Sequence, residues 1–312
     1  MDVIIVCHTE LGFVSNKRII FEKKSTQGVK DGVANLVKLA KKYGAKITFA
    51  VCPEVVDLFP KNTGHEVGLH IHPGWEEFSR AGFKWHVGDM YLKEHCPQSS
   101  VSTVMQDHPY SEQFNMIKTG KEYIKSRLGV DPKVFAAGRW SLNNDTIKVL
   151  AELGFTHDCS AYPGFKLSYL DWSKLPRICM PYKPSADDYQ NKGGLPILMV
   201  PVSRMFLRGA AGPEDAPKYG FSWLKACFKE YYKQGAPLFH IALHSPVMTD
   251  PCYISLTDDF FSFISKYDNI NFKFTSEIKE YPTGNFKTKI LPYVSAFNKE
   301  IAKTIVIKLF TR

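Results

Sequence analysis

The amino-acid sequence predicts an α/β protein whose parallel strands close, or nearly close, into a barrel. Apolar strand-like runs and helix-spaced stripes alternate about seven times along the 312 residues, the order that lays helices over a parallel sheet. No shift of composition marks a linker, and no internal repeat is visible. No Gly-x-Gly-x-x-Gly follows the first apolar run, so the signature of an open dinucleotide-binding sheet is missing.

Val3 to Cys7 is a continuous apolar run, the mark of a fully buried strand, and it leads directly into His8-Thr9-Glu10. Residues two apart on a strand share a face, so His8 and Glu10 project together. From Ser25 to Tyr43 the residues Val29, Val33, Leu36, Val37 and Leu39-Ala40 make a helical stripe that Gly44 ends. Lys46 to Cys52 reads as the second strand, followed by a short helix from Glu54 to Phe59. The third strand, His65 to His72, stops at Pro73; its parity puts His70 and His72 on one face and turns His65 away.

Gly74 to Val104 loses periodicity and carries Trp75, Trp85, His86 and His95, the character either of a substrate wall or of a decorated surface loop. Helical spacing returns from Pro109 to Leu128. Val134 to Ala137 is a strand that delivers Gly138-Arg139-Trp140, and Ser141 to Asn144 opens a helix through Leu153, with Gly154 as its stop. A strand from Phe155 to Ala161 precedes a loop region, Tyr162 to Gly194, in which Asp171-Trp172 is a candidate sugar contact, the indole serving either a sugar face or the core. Then come a strand from Ile197 to Val202, a helix from Ser222 to Gln234 and the apolar strand Leu238 to His244, broken by Ser245-Pro246. His240 shares the parity of His244 but lies deeper, which suits a core role. A helix from Leu256 to Tyr267, a strand from Ile270 to Phe274 and a short helix from Ser276 complete the order.

The composition, 44% hydrophobic and 13% aromatic, is that of a packed globular chain. Forty Lys and Arg against 31 Asp and Glu give a net charge of +9, which favours acidic partners. The lysines are scattered, however, with no basic run interleaved with aromatics, so no nucleic-acid partner is expected. The seven cysteines are odd in number and lack Cys-x-x-Cys spacing, which suits reduced thiols better than a disulfide framework or a zinc knuckle. The first residues lack signal-peptide features, and no apolar run nears the roughly 18 residues of a bilayer span. A cytoplasmic chain is the expectation. Residues 1–285 read as the barrel domain and 286–312 as a basic tail. Within the tail, Asn298 to Arg312 sets Ile301, Ala302, Ile305, Val306, Leu309 and Phe310 against Lys299, Lys303, Lys308 and Arg312, an amphipathic helix that either packs on the domain or makes peripheral membrane contact.

The polar residues collect by position. His8 and Glu10 follow the first strand, His70 and His72 end the third, Arg139 follows the fourth, and His244 ends a late one. All are carboxyl ends, which in a parallel barrel share the face where active sites are built. Imidazoles and a carboxylate converging there suit a divalent cation, zinc above all, and metal-assisted hydrolysis.

Over roughly Val3 to Glu280 the chain resembles the polysaccharide deacetylases, the carbohydrate esterases of NodB homology, and in particular divergent members tied to lipopolysaccharide or capsule sugar assembly. The likeness rests on His65-Glu66-Val67-Gly68-Leu69-His70-Ile71-His72-Pro73, Phe135 to Asn143, Ala151 to Phe155, Val200 to Ser203 and Leu243-His244-Ser245, in that order and spacing. The resemblance implies a distorted (β/α)7 barrel that removes acetyl groups from an N-acetylated amino sugar, free or carried on a nucleotide or lipid. It implies His70 as a metal ligand, His72 as a second one, Arg139 as the cation that orients the base, and His244 as the late histidine acting on the leaving amine or the oxyanion; Trp140, next to Arg139, joins Asp171 and Trp172 as a candidate substrate contact.

Two departures from the family stand out. Its two histidines are usually four apart, and position 74 here is Gly. Its first strand leads into Asp, where this chain has His8. Either Glu10 is the base while His8 binds metal with His70 and His72, or Glu10 ligates the metal while His8 takes the proton. A third reading is a barrel that binds sugar without catalysis.

Overall fold

Strand β1 (Asp2–Thr9) organises the sheet. Around it lie β2 (Ile47–Val51), β3 (Glu66–Ile71), β4 (Val134–Ala137), β5 (His157–Asp158), β6 (Leu198–Met199) and β7 (Leu238–His244), hydrogen-bonded in the order β6-β5-β4-β3-β2-β1-β7 with every pair parallel. A short β8 (Asn271–Phe272) adds to the first residues of β1. The computed structural model describes all residues except 17, 23–24, 75–76, 81–82, 87, 208, 283 and 304–312. The curled parallel sheet, wrapped by α1 (Val33–Tyr43), α2 (Tyr110–Leu128), α3 (Asn144–Glu152), α4 (Phe221–Lys233) and α5 (Pro251–Ile264), is the distorted (β/α)7 barrel that the family resemblance implies.

Strand parity divides the core in two. Val3, Ile5, Cys7, Val67, Leu69, Ile71, Phe135, Phe239 and Ile241 belong to the large cluster shared with the helices. Ile4, Val6, Ala50, Val134, Ala136, Cys159, Leu198 and Leu238 form a smaller cluster that plugs the barrel interior. The interior parity of β1, carried past Ile4 and Val6, brings His8 and then Glu10 to the top of this plug. The same parity on β3 brings His70 and His72 there, and on β7 His244.

The barrel closes without a ladder between β6 and β7. Beyond β6 the backbone N–H of Ser203 donates to the His240 carbonyl at 3.2 Å, and the His240 N–H donates to Ser203 Oγ at 2.9 Å. The His240 ring stitches the same seam, its Nδ1–H donating to the Val200 carbonyl at 3.1 Å. The strands expected over Phe155–Ala161 and Ile197–Val202 accordingly shorten to two ladder residues each. Side chains take over the bonding: Ser160 Oγ accepts from the Ala137 N–H at 2.7 Å and donates to Asp158 at 2.7 Å.

Three elements depart from the expected bounds. The stretch Gly74 to Val104 contains a hairpin, Glu77–Arg80 with Phe83–His86, and a helix, Met90–His95, capped by Asp89. Helix α5 starts ahead of Leu256 because Asp250 accepts from the N–H of Cys252 and Tyr253 and Pro251 opens the first turn. The Ser25–Tyr43 helix opens with a π-helical turn, Gly28–Gly32, ahead of α1. After β8 the chain turns back over α4, where the buried Tyr293 donates its hydroxyl to Glu230 at 2.8 Å. The rest of the amphipathic tail, Ile305, Val306, Lys308, Leu309, Phe310 and Arg312, lies outside the described residues. Among the described residues no helix is long and apolar enough to cross a membrane.

Candidate active site

The carboxyl ends of β1, β3 and β7 meet around one carboxylate. Glu10 Oε1 lies 2.9 Å from His70 Nε2, 3.4 Å from His72 Nε2 and 3.8 Å from His244 Nε2. His8 fills the space between them. Its ring stacks on His70, with centroids 4.4 Å apart and planes at 21°, and its Nδ1 is 3.3 Å from His244 Nε2. Glu10 is held from behind, its backbone N–H donating to Ser245 Oγ at 3.1 Å. The peptide at Ser245 approaches so closely that a Cβ on Gly32 would stand 2.1 Å from its carbonyl oxygen. The first turn of the helix layer therefore presses the end of β7 against the end of β1.

The bond made by His70 on its far side decides its chemistry. Nδ1 is 2.7 Å from the Ala136 carbonyl, which can only accept, so the ring proton is on Nδ1. The other ring nitrogen, Nε2, then faces a carboxylate oxygen 2.9 Å away. Two acceptors at that distance need a second proton or a cation between them. Burial pushes the pKa of His8 well below the ordinary imidazole value and that of His72 down to about 4. Burial acts the other way on Glu10, but His72 and His70 outweigh it and hold Glu10 well below the usual carboxylate range. A buried carboxylate ringed by imidazole nitrogens, those of His8 and His72 held neutral by burial, is a donor set for a borderline divalent cation. Two further nitrogens of the cluster, His8 Nε2 and His72 Nδ1, are buried and without a hydrogen-bond partner among the described residues.

Two contributors escape the sequence reading. Glu214, in the short helix Pro213–Asp215, receives His244 Nδ1–H at 2.9 and 3.0 Å and also the His244 backbone N–H. Burial alone would lower the pKa of His244; the Glu214 carboxylate overrides it and pushes the value up to about 9. Cys52, the first residue beyond β2, offers a thiol close enough that Glu10, Cys52 and His70 have ligand atoms within 4.8 Å of one another, as have His8, Glu10 and His244. The need of a buried histidine for a partner predicts a group like Glu214 but cannot choose it from a loop 30 residues away.

Above the cluster opens a cavity of about 420 Å³, walled by His8, Glu10, His72, Arg139, Trp140 and His244 together with Arg18, Phe21, Tyr169, Glu214, Asp215 and Tyr253. Arg139 and Trp140 both adopt left-handed backbone, φ 58° and 59°. Non-glycine residues pay roughly 1–2 kcal/mol each for that conformation, here at a site wall. Trp140 leans on His8 with ring centroids 5.2 Å apart. Asp171 and Trp172, offered above as sugar contacts, are not among the lining residues. Trp172 is 1% exposed and spends its indole N–H on the Trp140 carbonyl at 2.8 Å, so it supports the wall from behind. Asp171 belongs to the hairpin Lys166–Leu167/Leu170–Asp171, where Lys166 and Ser173 engage its carboxylate. His65 stays at the opposite end of β3, against Phe49 and Phe274.

No protein-family model matches the sequence, and no curated protein matches it either. Solved structures do match in fold. PuuE allantoinase superposes with a TM-score of 0.56 at 17% identity, over 88% of each chain. A protein from Pseudomonas aeruginosa PAO1 assigned as a polysaccharide deacetylase gives 0.55 at 16% identity, again over 88% of each chain. One from Mycobacterium smegmatis with the same assignment gives 0.53 at 18%, over 80% of this chain and 76% of its own. The chain therefore shares the barrel of the polysaccharide deacetylases.

Proposed function

We propose that the protein is a metal-dependent amide hydrolase that removes the acetyl group from an N-acetylated amino sugar, free or linked to a nucleotide or lipid, in the assembly of a surface polysaccharide or lipopolysaccharide. The observation that carries the reading is His70 Nε2 facing Glu10 Oε1 at 2.9 Å while Nδ1 is bonded to the Ala136 carbonyl, a pairing that a cation satisfies. Glu10, His70 and His72 would hold the ion, with zinc the best match to a carboxylate and two imidazoles. A bound divalent ion supplies a Lewis acid for the amide carbonyl.

The remaining groups handle protons. His8, buried and neutral, stands where a carboxylate base is expected and takes the proton of the attacking water. His244, kept cationic by Glu214, gives a proton to the departing nitrogen as the C–N bond breaks, leaving acetate and a free amine. Arg139 adds positive charge at the wall, and Trp140, Phe21, Tyr169 and Tyr253 offer ring faces to a sugar in a space of monosaccharide to disaccharide size. All seven cysteines are free, which supports a reducing cytoplasm as the place of action.

Acetate release from a panel of free, nucleotide-linked and lipid-linked N-acetyl sugars, with added zinc or cobalt, tests the reading. Allantoin belongs in the panel because one structural neighbour is an allantoinase. Release from a sugar that disappears in His70→Ala, together with the bound metal, is the expected result. A second reading, a sugar-binding barrel without catalysis, is favoured by His8 in place of a carboxylate. It prevails if no substrate yields acetate while a sugar still raises the melting temperature.

A further inference from the structure

Six large apolar side chains stand exposed among the described residues, and four of them, Ile290, Leu291, Val294 and Phe297, fall within eight consecutive positions. Leu291 is 79% exposed and Val294 64%. The opposite side of the same turn is also apolar, with Tyr293 and Ala296 buried against the barrel. A surface turn bathed only by water would show polar residues outward; this one is apolar on both sides. Around it stand Lys287, Lys289, Lys299 and Lys303, all exposed, against the single acidic Glu300 in residues 284–303. Lys308 and Arg312 follow in the sequence.

We propose that this turn docks the protein on an anionic phospholipid surface. Leu291, Val294 and Phe297 enter the boundary between headgroups and acyl chains, and the lysines lie among the phosphates, the arrangement of interfacial anchors generally. A second copy of the chain is the poorer occupant, because a two-fold contact would bring one ring of lysines against the other. The turn also stands close to the mouth of the barrel. Ser222 Oγ, in the first turn of α4, donates to the Ala296 carbonyl at 3.0 Å, and Asn298 Nδ2 donates to the Tyr219 carbonyl at 3.0 Å. Tyr219 ends the short helix that follows Asp215, a residue of the cavity wall. Docking there sets the cavity near the lipid. The inference does not rest on the hydrolase reading, since its test involves no turnover.

Co-sedimentation of the full chain with vesicles of phosphatidylglycerol and phosphatidylcholine, compared with phosphatidylcholine alone, is the experiment. Binding to the anionic vesicles is expected, weakened by salt, and reduced about tenfold or more in the triple variant L291S/V294S/F297S. The melting temperature of that variant should match the parent, and Leu291→Ser alone, at the most exposed position, serves if it does not. The proposal is overturned if the parent binds neither vesicle or if the triple variant binds as the parent does. It is equally overturned if sedimentation shows a dimer that the triple variant dissociates while vesicles are ignored, which gives the face to a second copy.

Discussion

Strand β7 carries two histidines of the same parity, four residues apart, and they have become different chemical objects. His240 sits in the seam, its Nδ1–H given to the Val200 carbonyl, and burial pushes its pKa down to about 4. His244 sits at the mouth, its Nδ1–H given to the Glu214 carboxylate, and its pKa is pushed up to about 9 despite burial. Both rings donate through the same nitrogen. They differ in depth, His240 being 0% exposed and the His244 side chain 24%, and in acceptor, neutral for one and charged for the other, and the charged partner is what lets His244 carry a proton at neutral pH.

The sharpest way to break the contrast is to remove the charge that organises the mouth. Glu10→Gln should take bound metal to background and lower acetate release by about 10³-fold or more, while the seam and the melting curve stay near the parent's. Metal analysis and a turnover assay on one preparation check both halves. The seam should respond to acid instead. Because the folded value of His240 lies below the ordinary 6.5, the neutral ring belongs to the native state; its stabilisation is present above pH 6.5 and is lost as pH falls toward 4. Urea unfolding at pH 7 and pH 4 should show a drop in the parent that exceeds the drop in His240→Gln by about 3 kcal/mol. Equal drops would mean that the ring is not held neutral there.

Glu214→Gln makes the mouth resemble the seam, since a neutral acceptor replaces the carboxylate. The alkaline limb of the pH–rate profile should move down from about 9 toward the ordinary imidazole range, with kcat falling about 10- to 100-fold and stability little changed. An unmoved limb would assign it to another group. The smallest effect is expected from Cys52→Ser. Burial holds this thiol well above its ordinary pKa, so it is a protonated neighbour and the change should cost less than about threefold in rate. A loss of metal instead would make Cys52 a ligand beside Glu10 and His70.

Much of this was legible in the sequence because strand parity is simple. Val3–Cys7 is an unbroken apolar run and Leu238–Leu243 is interrupted only by His240, so the side on which His8, Glu10 and His244 emerge follows from counting by two. The His70–His72 pair followed in the same way, with Pro73 marking the strand end. Counting fails where side chains replace ladders. Phe155–Ala161 and Ile197–Val202 look like full strands, yet Ser160 and His240 bond across them and shorten both. Glu214 was invisible because it comes from a single short helical turn and is chosen only by the folded approach to His244. Trp172 invited a ligand role by its chemistry, but its N–H was already committed to the Trp140 carbonyl.

The glycine between β4 and Arg139 has a consequence for how this chain can vary. A Cβ on Gly138 would stand 2.4 Å from His72 Nδ1 and 2.6 Å from the Ile71 carbonyl. Even alanine at 138 would tip the His72 ring out of register with Glu10 and disturb the turn that aims Arg139. Position 138 is thus a tolerance limit shared by two loops: the imidazole at 72 and the missing side chain at 138 must be kept together.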